Sequence, residues 1–333
     1  MTEEIINRLK NDFKKGSRKP GAAIDLSQVS LEGQNLDSLD FSGLNLQGVN
    51  FSGASLQNSN FGMCNLKDAN FYKARLNSVE FFKADLQNAV FNESDCTHAG
   101  FGHADLTHAS FLNANLNKAS FTSATLNYVD FRTANLENAS LREAVLTNAT
   151  LTRASLKNAD LKNSDVEGAD FHMADLSYAR VMGVKNFKKA AWVGADIFNI
   201  DLRGAYMIRR YIMDENYLYE FKTRSSLNKF LYLLWWLSSD CGRSLTRWAL
   251  LMFLVILIFA MMFHFSGVDY GAYKTPYSDI YYSIVTFTGL GYGDVMPASL
   301  QSQVLASIEA IAGYVGLGGF LSILSNKLAR RAE

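Results

Sequence analysis

The sequence has no excess of charge of either sign: across 333 residues, 32 Lys and Arg stand against 32 Asp and Glu. That excludes the broad basic surface by which proteins hold nucleic-acid phosphates, so no nucleic-acid partner is expected. Cysteine is scarce. Cys64, Cys96 and Cys241 are scattered and odd in number, which implies no disulfide framework and suits a reducing compartment. Only Pro20, Pro276 and Pro297 are prolines; the first precedes a long periodic region and the other two bracket a glycine-rich loop. Met1 to Lys19 are polar and rich in both charges, without an apolar core, so no signal peptide is expected. A His/Glu metal helix, a nucleophile elbow and a phosphate-binding glycine loop in a suitable setting are also missing. No catalysed reaction and no cofactor are therefore expected.

What the sequence has instead is a period of five. Leu26, Leu31, Leu36, Phe41, Leu46 and Phe51 begin a register that holds for 32 positions, to Leu176 and Val181. Cys96 and Val166 are conservative lapses in it. Two residues before each centre stands a small residue, most often Ala, as at Ala69, Ala104, Ala139 and Ala174. Neither the helical period of 3.6 nor strand alternation of two fits five. A short fixed period means a stacked, quasi-one-dimensional architecture. After Val181 the register slips by one and resumes at Phe187, Trp192, Ile197, Leu202 and Met207, with Gly183 and Val184 expected at the bulge.

The repeated A-[DN]-L-x-x, clear at Ala104-Asp105-Leu106, Ala134-Asn135-Leu136 and Ala159-Asp160-Leu161, resembles the pentapeptide-repeat family. The resemblance covers about residues 24–207. It implies a right-handed four-sided parallel β-helix with one pentapeptide per side, 20 residues per coil and coils about 4.8 Å apart. From Leu36 to Phe131, Leu and Phe alternate. On such a coil Phe41, Phe61, Phe81, Phe101 and Phe121 stack on one side, and Phe51, Phe71, Phe91, Phe111 and Phe131 on the opposite one. The rod would be on the order of 40 Å long. His98, His103 and His108 fall on successive sides, so their side chains diverge and no metal site is expected. Some relatives mimic DNA through an acidic rod, but the acidic excess here is mild.

Residues 208–245 break the repeat. Within them Phe230 to Leu237 is an apolar, Trp- and Tyr-bearing run too short to span a bilayer. It is either an interfacial helix coupling rod to membrane or a short buried helix packed on the rod. Ser238 to Ser244 is expected to turn. Trp248 to Phe265 is an 18-residue run broken only by His264. At about 27 Å it is long enough to span. A second run covers roughly Val304 to Leu324. Arg243 and Arg247 flank the first, and Lys327, Arg330 and Arg331 the second, while Asp269, Asp279 and Asp294 face a single Lys274 between them. Basic flanks belong in the cytoplasm, so both termini are expected there.

Between the spans, Ser278 to Phe287 suits a short re-entrant helix, followed by Thr288-Gly289-Leu290-Gly291-Tyr292-Gly293-Asp294. That segment resembles the T-V-G-Y-G-D selectivity filter of potassium channels, over about residues 246–328. The resemblance implies a tetramer in which the carbonyls of Gly289, Leu290, Gly291, Tyr292 and Gly293 replace the water shell of potassium. Thr286, Thr288, Tyr281, Tyr282 and Asp294 would support the filter, with Tyr292 pointing away from the axis and Tyr282 hydrogen-bonded to Asp294. Gly289 departs from the family: it stands where relatives have a threonine whose hydroxyl helps form the innermost ion site. Gly313 falls where relatives carry a hinge glycine, and is read as a gating hinge or a packing contact. Glu309, the sole acid in the spans, lies one turn before it and is read as a cavity or filter-base acid attracting cations, or as a hydrogen-bonded group behind the filter.

The expected whole is multidomain. It has a polar segment (1–23), the repeat β-helix (24–207), a connector (208–245), an all-α two-helix transmembrane pore domain with a re-entrant loop (246–328) and a short tail (329–333). The expected function is a homotetrameric potassium channel of the cell membrane, with no metal beyond permeant K+. With no voltage-sensing helix and few residues after the second span, gating signals would enter through the cytoplasmic rod, which would regulate the pore or bind a protein partner. A non-selective cation channel and a membrane-anchored interaction protein are the alternatives.

Overall fold

The computed structural model describes residues 10–12, 26, 29–201, 203, 206–271 and 274–332. Of the polar segment 1–23 only residues 10–12 are included; Leu202 and Glu333 lie outside the described residues. The chain divides into two compact units, Met1–Tyr219 and Glu220–Glu333.

In the first unit, each pentapeptide makes one side of a coil. Phe51 to Ala54 illustrates it: the Ala54 N–H donates to the Phe51 carbonyl at 3.0 Å, and Gly53 between them is left-handed at φ 64°. This is a type II turn, which needs a positive φ at its third residue. The same position is left-handed in coil after coil, even where it is not glycine, from Ser38 to Tyr178. A left-handed L-residue costs roughly 1–2 kcal/mol. The ladder offsets that by using the reoriented N–H: Met63 donates to Phe82 at 2.8 Å and Asn88 to Thr107 at 3.0 Å, each in the next coil. The Asn or Asp before each centre has its own task. Asn60 accepts from the Gly62 N–H at 3.0 Å, and Asp170 from His172 at 2.9 Å. Parallel bridges then join residue i to i+20, from Ser30–Asn50 to Asp165–Lys185. The result is a four-sided parallel β-helix.

Inside, the centres are buried and the two phenylalanine ladders form as expected. Within each ladder successive ring centroids lie 4.6–5.3 Å apart and nearly parallel. Between ladders the rings meet edge to face at 5.6–6.3 Å. Both geometries suit the aromatic quadrupole and add about 0.5–1.5 kcal/mol per pair beyond burial. The alanines two before each centre are buried at the corner, a place that Val49, Val79 and Val129 also fill. Cys64 and Cys96 are buried small apolar groups; burial pushes the Cys96 thiol up to about 12.

The register slip is real but lies elsewhere than expected. Asp165 pairs with Lys185 at i+20, whereas Asp170 pairs with Ala191 at i+21. The extra residue is therefore taken up after Lys185, where Phe187–Lys189 form a 3-10 turn. Gly183, at φ 71°, is an ordinary left-handed turn residue of its coil. Met207 is not a repeat centre: it is exposed in the first turn of helix α1 (Tyr206–Thr223). Helix α1 instead closes the rod, with Ile208 and Ile212 buried in the rod core. Tyr211 donates to the Lys188 carbonyl at 3.0 Å, and Asn216 accepts from the Gly194 N–H at 2.9 Å. Such a cap covers the last coil, whose apolar interior and unpaired edge would otherwise face solvent.

The second unit is helical. Helix α2 (Ser226–Ser239) is N-capped by Ser225, whose hydroxyl accepts from the Asn228 N–H at 3.1 Å. It exposes Phe230, Leu233, Leu234, Trp236 and Leu237. The expected turn follows, with Asp240, Cys241 and Gly242 all left-handed. Ser244 caps α3 (Leu245–His264); after it come α4 (Ser278–Thr288) and α5 (Leu300–Ala332). Two-residue strands β1 (Val268–Asp269) and β2 (Met296–Pro297) pair antiparallel and tie the connection after α3 to the one before α5. Helix α3 and the Leu300–Leu328 part of α5 are each long and apolar enough to cross a membrane.

Two tests follow from the rod. Phe101→Ala removes a ring stacked on two neighbours and edged by two more. It is expected to cost about 3–5 kcal/mol in guanidinium unfolding of the full chain. Phe82→Ala, on the half-exposed outer face, is expected to stay within about 0.5 kcal/mol. The second test is acid. Desolvation pulls Asp105 and Asp175 up, but hydrogen bonds from Thr107 and Gln87, and from Ser177 and Lys157, outweigh it and hold both below the usual carboxylate value. Arg203 forks onto Asp201 and holds it at about 2. A carboxyl depressed in the fold stabilises it above its unfolded value and loses that contribution as pH falls through the folded one. The unfolding midpoint is therefore expected to drop as pH is lowered below about 4.

Candidate functional site: the loop after α4 and its supports

Helix α4 ends where the sequence runs out of L-residues suited to it. Gly289 adopts φ 71° and ψ 15°, and its N–H donates to the Thr286 carbonyl at 3.1 Å. The Leu290 N–H reaches back to the Val285 carbonyl at 3.1 Å. This is a left-handed C-cap of the Schellman type, for which glycine is the natural residue. Gly289 is thus fixed by the helix terminus and not merely loosened by lack of a side chain.

Handedness then alternates. Gly289, Gly291 and Gly293 have φ of 71°, 50° and 76°, while Leu290 and Tyr292 between them stay out of the left-handed region. A methyl on Gly291 or Gly293 would meet open space, so backbone angle and not crowding demands glycine there. None of the five carbonyls from Gly289 to Gly293 accepts a hydrogen bond from a described residue. Leu290 and Tyr292 are exposed in the single protomer.

The supports come from three directions. Tyr281 donates to Asp294 at 2.6 Å. The expected Tyr282–Asp294 bond is not formed: neighbours on a helix point about 100° apart, and Tyr282 faces inward. It is buried against Phe263, centroids 4.7 Å apart, with Tyr270 beside it. Thr286 lies one turn further along α4. The Thr288 hydroxyl donates back to the Ile284 carbonyl at 2.7 Å. At the other end of α4, Asp279 binds His264 at 2.9 Å and the Tyr270 hydroxyl, so one carboxylate ties α4 to the end of α3 and to the following connection. Burial and that carboxylate push the Tyr270 phenol up.

Glu309 is fully buried and contacts Ser283 of α4; Ser283 in turn bonds the Ile256 carbonyl of α3 at 2.8 Å. A serine hydroxyl has one hydrogen and here has two oxygen neighbours. The Ser283 hydroxyl lies within hydrogen-bond reach of both the Glu309 carboxyl and the Ile256 carbonyl. This relay joins all three helices and corresponds to the structural alternative for Glu309, whose side chain is buried. Gly313 is a close contact: α5 runs through it unbroken, and a methyl there would overlap the Phe287 carbonyl oxygen. Gly316 and Gly319 continue the stripe against Met252, Phe287 and Trp248. The Trp248 indole also donates to the Gly316 carbonyl at 2.9 Å. Sequence reasoning missed Ser283, the Asp279 cluster and Trp248. A serine inside the short helix α4 was the one visible sign.

Comparison with known proteins meets this geometry from outside. The family model "Pentapeptide repeats (8 copies)" matches residues 24–62, and "Pentapeptide repeat region" matches 64–141 and 94–171. The family model "Ion channel" matches residues 251–330. The chain joins pentapeptide repeats to an ion-channel domain. With its two long apolar helices, it is a membrane protein with two spans. Two-pore potassium channel 1 of Arabidopsis thaliana is 31% identical over 97 residues, 28% of this chain and 27% of that protein. Two pore potassium channel b of Oryza sativa subsp. japonica is 39% identical over 54 residues, 16% of each. The chain thus spans about a quarter or less of these curated relatives. Among solved structures, HetL, a pentapeptide repeat protein from the cyanobacterium Nostoc sp. strain PCC 7120, is 26% identical. That match covers 61% of this chain and 92% of HetL, with a TM-score of 0.35.

The Ser283–Glu309 contact carries a test. Ser283→Ala leaves a buried acid without its partner and is expected to destabilise the protein by about 1–3 kcal/mol. Removing both groups together, as Ser283→Ala with Glu309→Leu, is expected to recover most of that. Denaturation in detergent reads both. A single mutant as stable as the parent would show that the relay contributes nothing.

Proposed function

We propose that four copies of this chain surround a conduit for potassium, with the carbonyls of Gly289, Leu290, Gly291, Tyr292 and Gly293 standing in for the ion's hydration shell. The carrying observation is the run of five carbonyls that accept no hydrogen bond from a described residue, in alternating backbone handedness, between two membrane-spanning helices. Irregular backbone at membrane depth is tolerated only inside protein or along a water-filled passage. One chain supplies one such loop, so a symmetric assembly is needed to close it. The names of the two relatives and the ion-channel family match support the same reading.

In this reading ions move down their gradient and no reaction is catalysed. Both termini are cytoplasmic, with Arg243, Arg247 and Lys327 inside and Asp269, Asp279 and Asp294 on the outer side. The exposed apolar face of α2 lies in the cytoplasmic interface of the bilayer, with Arg247 stacked on Trp236 beside it. The β-helix regulates gating or receives a cytoplasmic protein. Gly313 limits that gating: a bend there would first open its contact with Phe287. A second reading, a non-selective cation channel, is favoured by Gly289, which offers no side-chain oxygen at the inner end of the loop.

Purified protein in potassium-loaded vesicles tests this. Barium-sensitive potassium flux is expected, with reversal potentials that follow the potassium gradient in mixed potassium and sodium. Reversal potentials that track both ions equally would favour the second reading. Monomeric protein in native lipid, or vesicles silent under every imposed gradient, would contradict both.

A further inference from the structure

At the end of α4, under the glycine loop, lies a cavity of about 280 Å³ lined by Phe287, Thr288, Gly289, Gly313, Tyr314 and Phe320 among others. Its walls are mostly apolar. Thr288 commits its hydroxyl hydrogen to the Ile284 carbonyl. The Tyr314 hydroxyl is different. It bonds to no described residue, and the side chain is 73% exposed in the protomer. Its oxygen is the nearest heavy atom to the place a side chain on Gly289 would begin, 3.7 Å away.

Two constraints fix this arrangement. Gly313 packs α5 against the Phe287 carbonyl, so the next residue on α5 is held beside the end of α4. Gly289 is held left-handed by the helix cap, and its lack of a side chain leaves room there. A cation leaving five carbonyls for an apolar cavity loses ligands before it regains a full water shell, and a polar oxygen at that step lowers the barrier. Fourfold repetition would present four phenol oxygens at the same level.

We propose that Tyr314 is a selectivity-determining residue, its hydroxyl oxygen serving as the innermost protein ligand of the permeant cation where Gly289 supplies none. This rests on the channel reading above. It identifies the cavity as part of the conduction path, and makes the phenol oxygen rather than water alone the group that meets the ion at the inner end.

Tyr314→Phe removes the oxygen and keeps the ring. Tyr314→Leu removes both and serves if the first does not assemble. Block by barium applied to the cavity side, and potassium-to-sodium permeability ratios, are measured on whichever variant forms the same oligomer as the parent. Loss of one hydrogen-bonding oxygen to a cation is expected to weaken barium block about tenfold and to lower the permeability ratio. Unchanged block and ratio in an assembled variant, with a conducting parent, would overturn the role of Tyr314 and leave the channel intact. A silent parent would overturn the channel reading, and this proposal with it.

Discussion

A main-chain carbonyl without a partner is tolerated in water and costs several kcal/mol in hydrocarbon. Among the described residues, none bonds the five carbonyls of residues 289–293, which lie between two helices apolar enough to sit in lipid. In the proposed channel, the permeant ion meets that need. The surrounding structure holds the loop at both ends. Gly289 caps α4 and starts the alternation, Tyr281 anchors Asp294 at its far end, and Glu309, Ser283 and Ile256 lock α4 between its neighbours. Each support uses a hydrogen bond, whose directionality fixes position better than apolar packing does.

The β-helix obeys a different logic. Its stability is a sum of identical local terms: a turn bond, a side-chain bond into the turn, a ladder bond to the next coil and a stacked ring. The ladder tolerates local exchange, so Cys96 and Val166 stand for Leu, and Cys64 for Ala, within an unbroken run of bridges. The one place where the sum fails is an end. Helix α1 solves it by inserting Ile208 and Ile212 beneath the last coil, trading an exposed edge for a helix whose own bonds are internal.

The parts that could be read from sequence are those where one residue type answers one local need. The five-residue period marked each buried centre, and the Leu–Phe alternation anticipated both ring ladders. The errors came where several residues met the same need. Gly183 looked like a bulge because it is glycine, yet every coil has a left-handed residue at that position; the insertion went into Phe187–Lys189, which carries no glycine. Met207 kept the period by chance, while Ile208 and Ile212, four apart, already followed the helical one. Tyr281 and Tyr282 are chemically identical, and only the packing of α4 on Phe263 decides which faces Asp294. The partner of Glu309 was invisible because Ser283 is 26 residues away and on another helix.

The central claim is that the carbonyls of this loop hold potassium. Its most direct test is carbon-13 at the carbonyls of Leu290 and Gly291, observed by solid-state NMR in lipid vesicles as potassium is exchanged for a large organic cation. The account predicts resonances that shift with potassium and saturate, while labelled Leu233 carbonyls in α2 stay fixed. Loop resonances indifferent to potassium in an assembled protein would contradict it.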